Sequence, residues 1–321
     1  MIKRILCALL VLSALLLVSC KVKPIESTEE QLRAVGTVGE REVRYEELRF
    51  MVMTCKKSLD EVYGEGGLSD EEYEAKLWEY VNETLTYNCA VLNMCEEVGI
   101  YADNVRLTNA VQQKAEELAA TLGGFSKYKK YLKQNYLTDS VFRHITCVDL
   151  MQSELFYVYV DDFGLIESDV DAIYDVIKEK FVRTQHIYIS KATRGAKELI
   201  EEAYEKLSDG EDFWQIALEY SEDSELTEAG EYVIKGYMNE KYEEAAFSLA
   251  RGEYSEVIED VNGYFIVKRL EQDTIYVMTN LETLTDRYQH YTFLEMIYEV
   301  QRELEFVPND YLMGMRLSDI E

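Results

Sequence analysis

Phe181-Val182-Arg183-Thr184-Gln185-His186-Ile187-Tyr188-Ile189-Ser190 decides the fold. Apolar and polar side chains alternate along it, the period of a strand whose two faces meet different surroundings. Before it, the chain reads as helix for more than about a hundred residues. Ser69-Asp70-Glu71-Glu72 is a capping box. Behind it Tyr73, Leu77, Val81, Leu85, Cys89 and Leu92 recur every three or four residues, an apolar stripe along a helix that Gly99 stops. Further helices are expected near 103–122, 126–136 and 138–160, separated by Gly123-Gly124 and by Thr138-Asp139, and another capped by Ser168 runs to about Lys180. Ahead of them all, residues 35–44 read as two short strands around a Gly39-Glu40 turn.

Past Ser190 the pattern gives helices near 194–208, 211–220 and 239–250. Strands follow at 257–259 and 264–270 around the Asn262-Gly263 turn. A helix near 280–305 comes next, and Pro308 ends it. The expected architecture is a mainly α-helical domain with an inserted α+β domain. The helical domain takes residues 35–178 and the α+β domain 179–272, and 273–321 returns to pack a last helix on the first ones.

Composition narrows the function classes. Lys+Arg number 33 against 62 Asp+Glu, a formal charge of −29. Phosphate contacts need a basic surface, so a nucleic-acid partner is not expected. Hydrophobic residues at 47% and aromatics at 12% are too abundant for a disordered chain. Two prolines, Pro24 and Pro308, exclude a Pro-rich or collagen-like one.

A single long apolar run, at the N-terminus, argues against a polytopic membrane protein. Lys3 and Arg4 precede it, and residues 5–18 fall short of the ~20 that span a bilayer. That is the form of a signal peptide. It ends in Leu17-Val18-Ser19-Cys20, which resembles the lipobox of bacterial lipoproteins. The resemblance implies cleavage of residues 1–19, lipid on Cys20, and a tether over 20–34. Two acyl chains would hold the protein durably on the outer face of the cell membrane. An ordinary signal peptide with a chance cysteine and an uncleaved anchor are the other readings of this run. Cleavage takes away two cations and no acid, deepening the charge to −31.

Cys55, Cys89, Cys95 and Cys147 remain in the mature body. Buried thiols, a disulfide and a metal site are all open for them. Cys89 and Cys95 lie six apart on one expected helix and point to different sides. There is no CxxC, and only His144, His186 and His290 would assist a metal.

Residues 181–271 resemble the parvulin peptidyl-prolyl isomerase domain. Gln185-His186-Ile187 sits on the first strand, followed by a helix over 196–207. Then come Asp212-Phe213-Trp214-Gln215-Ile216-Ala217 and Tyr220-Ser221-Glu222-Asp223-Ser224. Further on are Ala245-Ala246-Phe247-Ser248-Leu249, Gly252-Glu253-Tyr254-Ser255 and Gly263-Tyr264-Phe265-Ile266-Val267-Lys268. The remainder is similar to the helical part of PrsA/SurA-type extracytoplasmic foldases, through residues 38–48, 92–99 and 123–137. With the lipobox, the resemblance covers nearly the whole chain.

What the resemblance implies is concrete. The chain would be a membrane-anchored, extracytoplasmic foldase of secreted proteins, with peptidyl-prolyl cis-trans isomerase activity and no cofactor. Its partners would be unfolded or partly folded secreted polypeptides, the membrane through its lipid, and a second copy in a homodimer. The catalytic His corresponds to His186 and the Asp to Asp223. The proline-binding Met and aromatics correspond to Met238, Tyr242 and Phe247. Where the family has a second His on its last strand, this chain has Phe265, which would join the substrate-binding residues as a wall of the pocket. The family's usual Gly-Gly-Asp-Leu-Gly-aromatic loop reads Ala229-Gly230-Glu231-Tyr232-Val233-Ile234. Those departures keep open a non-catalytic holdase with a degenerate parvulin domain, and a lipoprotein of other function stands behind both.

The chemistry needs little machinery. Rotation about the peptide C–N bond meets a barrier of ~18–20 kcal/mol because of its double-bond character. A site that binds the twisted amide better than the planar one lowers it, with no nucleophile or metal. An apolar cup for the proline ring and polar groups around it suffice. From the residues alone, His186 also reads as a core imidazole, Asp223 as a loop cap, and Met238, Tyr242 and Phe247 as ordinary core. The 25 Tyr offer amphipathic contact area for unfolded chains or simple helix packing.

Overall fold

The computed structural model describes residues 26–64, 67–162 and 170–320. Strands β1 (Ala34–Val38) and β2 (Arg41–Arg44) pair antiparallel. They are joined through Gly39, whose φ of +57° suits a residue without Cβ. Helix α1 (Tyr45–Tyr63) follows directly. Helix α2 (Asp70–Glu97) starts at Ser69, whose hydroxyl accepts from the Glu72 N–H while the Glu72 carboxylate accepts from the Ser69 N–H. That reciprocal pair is the capping box read from the sequence. Leu77, Val81, Leu85 and Cys89 then pack against Leu48, Val52, Cys55 and Leu59 of α1. Helices α3 (Val105–Thr121), α4 (Phe125–Gln134) and α5 (Asp139–Asp162) build a second cluster around Ala115, Tyr128, Leu132 and Phe142. A buried polar tie crosses them. Tyr128 Oη donates to Asp139 Oδ1 at 2.8 Å, and Arg143 donates to Asp139 Oδ2 and to Gln112 Oε1.

Helix α6 (Val170–Lys180) leads into β3 (Phe181–Ser190) and a second compact unit. Its order continues α7 (Ala196–Ser208), α8 (Phe213–Tyr220), β4 (Glu231–Ile234), α9 (Glu240–Ser248), β5 (Ile258–Glu259), β6 (Gly263–Arg269), α10 (Thr274–Thr279) and α11 (Leu281–Gln301). The sheet runs β4-β3-β6-β5, every neighbour antiparallel. Alternation along β3 assigns its two faces. Ile187 and Ile189, with Ile266 of β6, pack on Ile200, Ala203 and Leu207 of α7 and on Phe213, Ile216 and Ala217 of α8. Val182, with Val233 of β4 and Val267 of β6, packs on Tyr242 and Ala246 of α9. A further cluster of Ile177, Phe181, Tyr232, Ile234, Val277 and Leu284 draws α6, α10 and the start of α11 into the unit. Compactness therefore extends over residues 170–293, beyond the 179–272 marked in the sequence.

From Leu294 the chain belongs again to the helical unit. Gln301 donates to Glu83 O at 2.9 Å and to Thr86 Oγ1 at 3.0 Å. Strand β7 (Phe306–Pro308) pairs with β1, giving the order β2-β1-β7, and α12 (Asp310–Met313) and α13 (Leu317–Ile320) close the chain. Phe306, Leu312 and Ile320 enter the same core as α1 and α2.

Three elements depart from the sequence reading. Pro308 ends an edge strand rather than a helix, a place where its missing N–H leaves no ladder bond unmade. Residues 231–234 are strand rather than loop, and 274–279 form a short helix. Cys55, Cys89 and Cys95 are buried free thiols and Cys147 is a half-buried one. Burial pushes the Cys95 thiol up to about 12, so it is inert as a nucleophile. Ser168 and Cys20 lie outside the described residues. Among the described residues no helix is long and apolar enough to cross a membrane, and no group of three potential metal ligands occurs.

Candidate active site

The face of β3 that carries Val182 also carries Thr184 and His186, because alternate residues of a strand share a face. Pairing with β6 places Val267 opposite His186 and Phe265 opposite Tyr188. Helix α9 crosses this face. Asn239 caps it by accepting from the Tyr242 N–H at 2.9 Å, which sets the first turn and aims Tyr242 at the sheet.

Tyr242 is fully buried, and its hydroxyl meets two side chains of β3. Oη lies 2.9 Å from Thr184 Oγ1 and 3.2 Å from His186 Nδ1. On the other side of the imidazole, Nε2 lies 3.0 Å from Asp223 Oδ2. The loop bearing Asp223 is tied down to the same strand. Tyr188 N–H donates to Ser221 Oγ, and Glu222 N–H donates to Tyr188 O at 2.8 Å. Asp223 Oδ1 accepts from the Glu225 N–H at 2.9 Å, so one carboxylate both caps its own loop and meets the imidazole.

Rings surround the polar line. Phe265 is T-shaped to both His186 (6.1 Å, 72°) and Tyr242 (5.8 Å, 88°). Met238, Phe247 and Phe265 are only partly buried against the Val182-Val233-Tyr242-Ala246-Val267 cluster. Depth is thus graded: Thr184 and Tyr242 at the floor, His186 at 7% exposure above them, Asp223 and the apolar side chains at the mouth. Burial pushes the Tyr242 phenol well above its usual range, with the Glu231 and Asp223 charges acting the same way, so it is a neutral donor.

The structure therefore brings together all six pocket residues singled out in the sequence: His186, Asp223, Met238, Tyr242, Phe247 and Phe265. His144 and His290 take no part. The first faces Glu47 at 3.6 Å in the helical unit, and the second bonds through Nδ1 to Asp286 O along α11. Sequence reasoning missed Thr184. Its signal was available, a hydroxyl two residues before His186 on an alternating strand.

Chemically the cluster holds no nucleophile poised by a base. It offers an imidazole fixed at both nitrogens, beside a half-exposed apolar wall. That suits orientation of a polar substrate group next to an apolar ring rather than covalent chemistry.

Residues 181–271 match the PPIC-type PPIase domain of the rotamase family. Foldase protein PrsA of Oceanobacillus iheyensis is 27% identical over 227 residues, covering 68% of this chain and 70% of that one. Among solved structures, the parvulin NmPin of Nitrosopumilus maritimus is 37% identical over 29% of this chain and 97% of its own, with a TM-score of 0.24. PrsA from Bacillus subtilis is 18% identical over 85% of this chain and 91% of its own, with a TM-score of 0.29. The chain thus carries a parvulin-type peptidyl-prolyl isomerase domain at 181–271 and is similar to PrsA foldases over about two thirds of its length.

Proposed function

We propose that this chain is a lipid-anchored, extracytoplasmic foldase whose pocket isomerises X–Pro bonds of secreted polypeptides. The observation that carries the reading is the graded pocket. An apolar, half-exposed wall of Met238, Phe247 and Phe265 stands beside an imidazole fixed by Asp223 and Tyr242. In this reading the proline ring enters the apolar wall, which removes it from water. His186 and Asp223 then form the polar edge along which the substrate carbonyl swings as the C–N bond twists. The twisted amide has lost its conjugation and fits that edge better than the planar one, which is the differential binding that lowers a barrier.

The helical unit, over 35–162 and completed from Leu294 onward, holds unfolded segments, and its acidic surface keeps the protein soluble and favours basic segments. Cys20 carries the lipid that keeps it where clients emerge, and a homodimer would double the holding surface. One observation favours a second reading, a holdase without catalysis. The last strand offers Phe265 in place of an imidazole. A protease-coupled assay on a proline-containing peptide separates the two. The isomerase reading expects the wild type to accelerate a step that otherwise takes ~10–100 s, and His186→Ala to lose most of that gain. No acceleration at high protein concentration, together with suppressed aggregation of an unfolded client, would leave the holdase.

A further inference from the structure

We propose that Thr184 and Tyr242 form a donor chain that holds His186 as the neutral, Nε2-protonated imidazole, the Tyr242 hydroxyl supplying the ring partner that Phe265 on the last strand does not. For its catalytic consequence this deepens, and rests on, the isomerase reading.

The direction of the chain follows from which atoms can donate. The Asp223 carboxylate accepts only, so the hydrogen between it and His186 sits on Nε2. Nδ1 of the neutral ring is then a buried acceptor and needs a donor. Tyr242 Oη, at 3.2 Å, is the one that the described residues provide. Having given its hydrogen to Nδ1, Oη accepts from the Thr184 hydroxyl at 2.9 Å. Every hydrogen in the line then has an acceptor, and the Nδ1 lone pair has its donor. In the opposite direction the Tyr242 hydrogen goes to Thr184, whose own hydrogen then has no acceptor among the described residues, at a position with 0% exposure. A buried donor left unpaired costs more than a bond is worth, so the first direction wins.

Phe265 closes the arrangement. Its ring stands edge-on to both His186 and Tyr242 and brings no polar atom, so no competing donor reaches Nδ1 from the last strand. With both nitrogens engaged, the imidazole can neither flip nor change tautomer without breaking a bond. The ring therefore presents one fixed edge to the substrate, and Tyr242 is a positioning residue that acts through His186.

The test is ¹⁵N-imidazole NMR on the full chain, read beside kcat/KM for a proline peptide. Wild type at neutral pH should show His186 protonated on Nε2, with Nδ1 at the shift of a hydrogen-bond acceptor. Tyr242→Phe removes the hydroxyl and keeps the ring. It should move Nδ1 to its unbonded position and lower kcat/KM roughly fivefold, the worth of one hydrogen bond. Thr184→Val should move the same resonance in the same direction by less. An Nδ1-protonated ring or an imidazolium in wild type overturns the proposal, and so does a Tyr242→Phe variant whose Nδ1 resonance or rate is unchanged. If wild type shows no isomerase activity, that reading fails, while the Nδ1 resonance still decides the proton arrangement.

Discussion

Replacing Asp223 by asparagine probes the site most sharply, because one carboxylate does two jobs there. Oδ1 accepts from the Glu225 N–H at 2.9 Å, and Oδ2 meets His186 Nε2 at 3.0 Å. An amide has one acceptor oxygen and cannot serve both. If the oxygen stays with Glu225, the NH₂ faces the Nε2 hydrogen, and the ring must move its proton to Nδ1, against the donating Tyr242 hydroxyl. If the amide flips, the NH₂ faces the Glu225 N–H and the loop loses its turn. Either way a charge-assisted bond becomes a neutral or repulsive contact. His186 is 9% exposed and Asp223 28% in their side chains, so solvent restores little of it. The loss is about 1–2 kcal/mol of transition-state stabilisation, or roughly 5- to 30-fold in kcat/KM. The protease-coupled peptide assay reads it, with circular dichroism as a fold control. An Asp223→Asn variant folded like wild type and within twofold of its kcat/KM would refute the reasoning.

Other expectations follow from the same packing. Gly230 has φ +66°, and a Cβ there would come 2.2 Å from Thr184 O and 2.8 Å from Leu270 Cδ1. Gly230→Ala should therefore cost about 2–4 kcal/mol, seen in a urea melt followed by Trp214 fluorescence, and a cost below about 0.5 kcal/mol would contradict the placement of this backbone. Burial raises Glu47 to about 7, raises Glu83, with help from Glu79, to about 7, and raises Asp149 to about 6. These groups bind protons more tightly folded than unfolded, so their contribution is complete below ordinary carboxylate values and is lost as pH rises through 6–7. His144, lowered by burial and by Arg41 and Arg44, acts oppositely as pH falls below 6.5. The urea midpoint of the helical unit, read by Trp78 in a Trp214→Phe background, should rise between pH 8 and pH 6.5, and Glu47→Gln should flatten the slope. A midpoint independent of pH would show that these carboxyls are solvated. Thiol titration without reductant should find Cys55, Cys89 and Cys95 reactive only after denaturation, whereas a deficit in denaturant would mean a disulfide.

The sequence was legible where local rules decide. The Ser69 capping box, the α2 stripe and the alternation of β3 all hold, because each depends on residues within one or two turns of each other. The site was legible through the resemblance to the parvulin domain, since the residues alone also read as ordinary core, and the chain does bring His186, Asp223 and Tyr242 to one line. What stayed hidden depends on distant partners. The four residues of β4 are too few for alternation to speak, and they are strand because β3 pairs with them. Residues 306–308 are strand because β1 lies more than 250 residues away in sequence and beside them in space. From sequence Tyr242 reads as an aromatic wall with its hydroxyl unused, because only the fold shows that Thr184 and His186 of one strand face it together.

The central claim is that this pocket, with Phe265 on its last strand, still isomerises prolyl bonds. Exchange NMR on an Ala-Pro peptide measures that without a coupling protease. The account predicts cis–trans exchange cross-peaks that appear on adding the wild-type protein, grow with its concentration, and largely vanish with His186→Ala. Exchange that stays at the uncatalysed rate at every protein concentration would contradict it.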